Sequence, residues 1–342
     1  MKIKLFILLF FSFFAVFSQV RNIDSIMIEE IKIDNSSIRA IQVFKDSSMV
    51  FASSNGRIGF ANLSNKELKF KKINYDTIVP HFRSIVSNGK YIYVLSVENP
   101  ALLYQYHNGN LKLVYKEEHS NVFYDAMAFF DEQNGIAMGD PTADCLSVII
   151  TNDGGNIWKK IPCGNLPSTE EGEAAFAASN GNIAIIGANA WLVSGGKRAR
   201  VFHSPDMGTT WKVYDTPIVQ GGQMTGIFSV DFYDSKNGII FGGDWGKKEN
   251  NTANKAISND GGKTWKLLAN GEGPGYKSCV RYVPDTNGKE VFAVGSTGIS
   301  FSNDGGYSWK KVSDENYYTI RFVNKNVAWL AGNNKIGKLI LK

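Results

Sequence analysis

Apolar and polar residues alternate along most of this chain, and turn residues interrupt the alternation at regular intervals. Ala126-Met-Ala-Phe-Phe130 leads to Asn134-Gly135 and then to Ile136-Ala-Met-Gly139. Phe228-Ser-Val-Asp-Phe-Tyr233, Asn237-Gly238 and Ile239-Ile-Phe-Gly-Gly243 repeat the order, as do Val280-Arg-Tyr-Val283, Asn287-Gly288 and Val291-Phe-Ala-Val-Gly295. A period of two with Asn-Gly punctuation predicts short antiparallel strands joined by tight turns. No segment carries a convincing helical period, so the chain reads as all-β.

A second pattern lies over the first. Thr151-Asn-Asp-Gly-Gly-Asn-Ile-Trp158, Ser204-Pro-Asp-Met-Gly-Thr-Thr-Trp211, Ser258-Asn-Asp-Gly-Gly-Lys-Thr-Trp265 and Ser302-Asn-Asp-Gly-Gly-Tyr-Ser-Trp309 share the frame Ser/Thr-x-Asp-x-Gly-x-x-Trp. Their aspartates stand 53, 54 and 44 positions apart. Repetition on that scale marks a solenoid, propeller or array. Within each copy the Asp carboxylate suits the amides of its own turn. The Gly permits a positive φ there, and the Trp offers a large apolar anchor. Four even copies of Asp153, Asp206, Asp260 and Asp304 favour turn staples over catalysis, because an active site needs different residues converging once.

These hairpins resemble those of the Asp-box β-propellers, which include sialidases, some glycosidases, sortilin-like receptors and Ycf48-like photosystem assembly factors. The resemblance implies a propeller in which Asp153–Trp158, Asp206–Trp211, Asp260–Trp265 and Asp304–Trp309 are structural turns between the outer strands of a blade. Spread along the whole chain, the rhythm gives seven units beginning near Ser37, His81, Phe123, Glu173, Thr225, Ser278 and Tyr318. The expectation is a seven-bladed β-propeller of four-stranded antiparallel blades. The alternating segment 23–34 is expected to supply the missing outer strand of the last blade and so close the ring.

Met1-Lys-Ile-Lys4 and the apolar run Leu5–Phe17 read as a secretory signal peptide covering residues 1–18. Residues 19–342 then form one propeller domain. The expected location is outside the cytoplasm, periplasmic or secreted, with no membrane span after cleavage and a monomeric state. The whole chain carries a net charge of +5, and loss of Lys2 and Lys4 leaves +3. So even a balance argues against nucleic acid as the partner. The chain has 3 cysteines. Cys145 and Cys163 flank the first hairpin and are candidates for a cross-strand disulfide, with free thiols as the alternative; Cys279 reads as a core thiol.

Familiar catalytic motifs are missing. The four histidines 81, 107, 119 and 203 have no metal-ligand spacing. Gly262-Lys263-Thr264 lacks the leading Gly of a phosphate loop, Gly271–Gly275 is not a dinucleotide fingerprint, and no nucleophile elbow occurs. No metal or cofactor is expected.

Aligning the inner strands on their turns gives a register of Arg39, Arg83, Ala128, Ala175, Asp231, Arg281 and Arg321. Four guanidinium groups are thus expected to converge at the channel mouth, where they suit a carboxylate or phosphate. Internal pairing, such as Asp231 with Arg281, is the competing expectation. Long loops add Arg198 and Trp245 to the candidate ligand-binding set.

The Ycf48-like resemblance implies an exported, non-catalytic scaffold or assembly propeller. Its partner would be a protein or another anionic, carboxylate-bearing ligand, with a glycan as a further candidate. The alternative is a secreted glycoside hydrolase of sialidase-like or xyloglucan type, with Asp140 and Asp244 as its carboxyl pair. The Arg-Ile-Pro motif expected of sialidases is absent; the nearest match is Arg57-Ile58-Gly59.

Overall fold

A computed structural model describes residues 20–62 and 67–341. The expected signal peptide, 1–18, lies outside the described residues. The chain is an all-β propeller. Its innermost strands are Met27–Val43, Phe82–Ser87, Tyr124–Phe129, Ile183–Ile186, Thr225–Phe232, Cys279–Tyr282 and Thr319–Asn324. Each packs against the next and the last against the first, around a central channel.

The strands are gathered into six hydrogen-bonded sheets, not the seven four-stranded blades expected. Four sheets have four strands and two have six. Counting sequence repeats misleads at the chain ends because two strands there are long and continuous. Met27–Val43 pairs through Met27–Lys32 with Val327–Ile340, then breaks register and pairs through Ile38–Val43 with Met49–Ser53. The units counted as last and first are therefore one sheet. Segment 23–34 is also not a separate closing strand: from Met27 it is the start of a 17-residue strand that runs on into the channel wall.

Apolar side chains fill the spaces between neighbouring sheets. Trp191 is fully buried and stacks on Phe232 at 3.7 Å between centroids. It sits in the strand Asn189–Val193. Burial of such a side chain contributes about 1.5–3 kcal/mol. Tyr93, Phe129 and Trp158 make a second such cluster.

Each Asp hairpin is stapled from within. Ser258 Oγ donates to Asp260 Oδ1 at 2.9 Å, and the amides of Lys263 and Thr264 donate to the same oxygen at 3.1 and 3.0 Å. Thr264 Oγ1 donates to Asp260 Oδ2 at 2.7 Å, and Trp265 Nε1 to Gly262 O at 2.9 Å. Asp153, Asp206 and Asp304 accept from their own turns in the same way, and Trp158, Trp211 and Trp309 donate likewise. Gly262 has φ +82°, and a Cβ there would meet the Trp191 ring at 2.9 Å, which explains the Gly in the frame. Cys145 and Cys163, on either side of the first of these hairpins, form a disulfide with Cα atoms 5.4 Å apart, while Cys279 is a buried free thiol.

Candidate functional site

The inner strands begin regularly only in part. Ile38 pairs with Ser53 and Ala40 with Ala52, so Arg39 is an extra residue in its strand. Arg83 is extra in the same sense between Phe82 and Ser84, Asp125 between Tyr124 and Ala126, and Phe228 between Ile227 and Ser229. A β-bulge turns one side chain out of the alternation and re-aims it. In all four strands a run of regular pairing follows the bulge.

The fourth unit departs further. Its chain pairs at Glu173–Ala174 and again at Ile183–Ile186, and the stretch between leaves the sheet and enters the channel. Its hydrogen bonds reach strands all round the ring. Asn180 accepts from Met127 N at 2.9 Å and donates to Ile85 O at 3.1 Å. Val230 N donates to Gly181 O at 2.9 Å, and Ser179 Oγ to Ser278 O at 2.6 Å. Residues 175–182 thus plug the channel, and a ligand meets a floor instead of a tunnel.

On that floor lies a cleft of about 360 Å³. Arg39 and Arg83 form one wall beside Phe123; Asp140, Phe176, Phe228, Tyr276, Met224 and Trp245 are among the other lining residues. Phe176 and Phe228 stack at 4.0 Å, with Tyr276 edge-on to Phe228 at 4.7 Å. Trp245, anticipated from the sequence, is 47 % exposed at the lip, with the Lys248 ammonium 4.5 Å from its ring centre. The cleft is therefore apolar in its body and cationic on one side.

The two arginines are sparsely held. Arg39 donates to Ala178 O at 3.3 Å and lies 3.9 Å over the Tyr318 ring; its Nε is buried with no partner. Arg83 donates to Ala177 O at 3.4 Å and to His81 Nε2 at 3.2 Å. Neither forms a salt bridge among the described residues. Burial and the neighbouring Arg39 lower the Arg83 pKa. Burial, Arg83 and Arg39 hold His81 down to about 4, so its ring is neutral and can accept the Arg83 hydrogen bond.

Two carboxyls complete the neighbourhood. Asp140 accepts from Ala175 N at 2.8 Å, which anchors the start of the plug, and burial pushes its pKa up to about 6. Asp125 is fully buried, and neither carboxyl oxygen has a hydrogen-bond partner. Burial, then the Asp140 charge, pushes Asp125 well above the usual carboxylate range; Arg83 opposes this.

The four arginines do not all meet. Arg281 and Arg321 lie outside the cleft lining. Arg321 donates to Ser179 O at 3.0 Å, Asn180 O at 2.9 Å, Ile320 O at 2.8 Å and Thr319 Oγ1 at 2.8 Å. Arg281 donates to Val230 O at 2.8 Å and stands 3.7 Å from Asp231, the internal pairing weighed as an alternative. The expected register slipped because Arg39 and Arg83 are bulge residues aligned with Phe228, three positions before Asp231. Arg198 is also elsewhere, paired with Asp215 at 2.5 Å on the surface. Asp244 is not a lining residue either. Its carboxylate accepts from Gly246 N at 2.8 Å and caps the short turn Trp245–Lys247, so Asp140 and Asp244 do not form a carboxyl pair in the cleft.

Sequence reasoning missed Asp125, Phe176, Phe228 and Tyr276. The one available signal was Asp125 following Tyr124 just where Arg39 follows Ile38 and Arg83 follows Phe82. Among the described residues no group of His, Cys, Asp and Glu is placed to hold a metal ion. No helix among them is long and apolar enough to cross a membrane.

No family model and no curated protein matches this chain. Solved structures do. That of YCF48 bound to D1 peptide is 13 % identical with a TM-score of 0.67, covering 94 % of this chain and 100 % of its own. The RRP9 WD40 repeats are 12 % identical with a TM-score of 0.65, over 95 % of this chain and 100 % of theirs. Virginiamycin B lyase from Staphylococcus aureus is 10 % identical with a TM-score of 0.62, over 93 % of this chain and 100 % of its own. At these identities the likeness establishes the β-propeller fold, which hosts a lyase by name as well as peptide-bound and repeat proteins, so function must be argued from the site.

Proposed function

We propose that this chain is an exported, non-catalytic propeller that captures a partner protein through a carboxylate flanked by apolar residues, seated in the Arg39–Arg83 cleft. One observation carries the reading: two adjacent guanidinium groups face an aromatic-floored cleft without a carboxylate between them. Like charges held together cost free energy unless an anion offsets them. A guanidinium fork makes strong, directional bonds to a carboxylate. Phe176, Phe228, Met224 and Trp245 would take the apolar flank, and exposed aromatic lips of this kind are common at binding hot spots. The YCF48 neighbour, bound to a peptide by its printed description, supports a peptide-binding use of the fold. The apolar N-terminal run and the Cys145–Cys163 disulfide support export.

The test is fluorescence polarisation with labelled peptides ending in an apolar residue, each as free carboxylate and as amide. Capture of the free acid, lost in Arg39→Ala/Arg83→Ala with folding intact, supports the reading. Equal binding of acid and amide would remove it.

A further inference from the structure

The Cys145–Cys163 disulfide ties together two stretches of chain that line a second cleft, of about 520 Å³. Asp140, Pro141, Ala143 and Asp144 run up to Cys145 and supply one part of the lining; residues 169–174, downstream of Cys163, supply another. Asp140 and Ala174 also line the Arg39–Arg83 cleft, so the two clefts adjoin.

Between Cys163 and the plug the chain has little regular pairing. After the short turn Cys163–Asn165 it forms no strand until Glu173–Ala174, which is two residues long. Three contacts join it to the first stretch. Ser168 bridges to Cys145, Thr169 N donates to Asp144 O at 2.8 Å, and Ala175 N donates to Asp140 Oδ1 at 2.8 Å. Arg200 adds a bond to Ser168 O at 2.8 Å. Segments with few backbone hydrogen bonds open locally at low free energy. The covalent link is the one tie that cannot open in this way. Just past Ala175 the chain becomes the plug, and the Ala177 and Ala178 carbonyls accept from Arg83 and Arg39. One continuous stretch thus runs from the disulfide to the two guanidinium groups.

We infer that the disulfide is a redox-sensitive latch on the Arg39–Arg83 cleft. Oxidised, it keeps the plug and both arginines in place for a carboxylate; reduced, it lets residues 166–178 loosen and the site lose affinity. The inference rests on the carboxylate-binding reading of that cleft. The reductant it requires is a dithiol. A thiolate of the dithiol attacks Cys163 Sγ, because Cys163 is half-buried whereas Cys145 is only 3 % exposed. The S–S bond breaks, Cys145 leaves as a thiolate, and a mixed disulfide forms on Cys163. The second thiol of the reductant attacks that mixed disulfide and frees Cys163. Two electrons pass to the protein, the dithiol ends as its own disulfide, and its two protons end on Cys145 and Cys163. Cys279 is buried and takes no part.

Amide hydrogen exchange on the intact chain, oxidised and after dithiothreitol under native conditions, tests the latch, with alkylation at Cys145 and Cys163 reporting the extent of reduction. The amides of Thr169 and Ala175 should lose at least about tenfold in protection, while those of Val291–Gly295 keep theirs. Affinity for an apolar-ended free-acid peptide should fall about tenfold, as expected if only about a tenth of the reduced molecules hold the plug in place. Cys145→Ser/Cys163→Ser should match the reduced protein and ignore dithiothreitol. Unchanged exchange at Thr169 and Ala175 after full reduction, protection lost alike in every sheet, or a peptide affinity that does not move would overturn the latch. Failure of the oxidised protein to bind the peptide would count against the reading of the cleft instead, and the exchange comparison would still decide whether the disulfide holds the plug.

Discussion

Arg39 and Arg83 hold equivalent places on neighbouring inner strands: each is the single extra residue of a β-bulge, and both guanidinium groups line one cleft. In regular alternation each would sit on one face of its strand. The bulge turns both toward the channel mouth, above a floor built from residues 175–182.

Binding of a carboxylate ligand should strengthen as pH falls from 8 to about 6. The charged groups lining the cleft are Arg39, Arg83 and Asp140, with His81 bonded to Arg83 and Asp125 buried nearby. A guanidinium stays charged in this window, His81 is neutral with its pKa held down to about 4, and burial pushes Asp125 well above the usual carboxylate range. Asp140, which burial pushes up to about 6, titrates in this window together with its neighbour Asp125, and gaining a proton removes a negative charge from the cleft. Affinity measured across this range should rise toward acid in the native protein and stay level in Asp140→Asn. A level profile in the native protein would remove Asp140 from the site's electrostatics.

Asp125→Asn should stabilise the fold at neutral pH. The folded-state pKa of Asp125 lies above the unfolded value, so the folded chain binds the extra proton. The contribution of this group is thus favourable at low pH and is lost as pH rises through the folded pKa. Chemical denaturation at pH 5 and pH 8 should show the difference between the two narrowing in the variant, with a gain on the order of 1–3 kcal/mol at pH 8. A loss of stability at pH 8 would mean that the buried carboxylate is paired after all.

The hairpin aspartates should matter to stability alone. Asp260 accepts from two amides and two hydroxyls of its own turn, so Asp260→Ala should cost roughly 1.5–3 kcal/mol. Thermal unfolding reads that loss, while peptide affinity at saturating folded fraction should not change. A change in affinity with unaltered stability would give the hairpins a role in the site.

Much of this was legible in the sequence because the relevant signals are local. The Asp hairpins, the Asn-Gly turns and the period of two depend on neighbours a few residues apart, and they identified an all-β propeller. The sheet count was not legible. It depends on whether Met27–Val43 and Val327–Ile340 pair across the whole chain, which no repeat unit reports. The site was half legible. Of the residues lining the candidate cleft, Arg39, Arg83, Asp140 and Trp245 had been singled out from the sequence, but an alignment that assumes unbroken alternation cannot see a bulge, and so it drew Arg281 and Arg321 into the same cluster. The plug was hidden for a related reason: the register put Ala175 on an inner strand, and only long-range hydrogen bonds draw residues 175–182 into the channel.

The most direct test is the affinity of one apolar-ended peptide, as free acid and as amide, for the native protein and for Arg39→Ala/Arg83→Ala. The account predicts that the free acid binds at least about tenfold more tightly than the amide, as losing one charge-assisted contact implies. It also predicts that this preference vanishes in the double variant while the melting temperature holds. Equal affinity for acid and amide, or a preference that persists without both arginines, would contradict it.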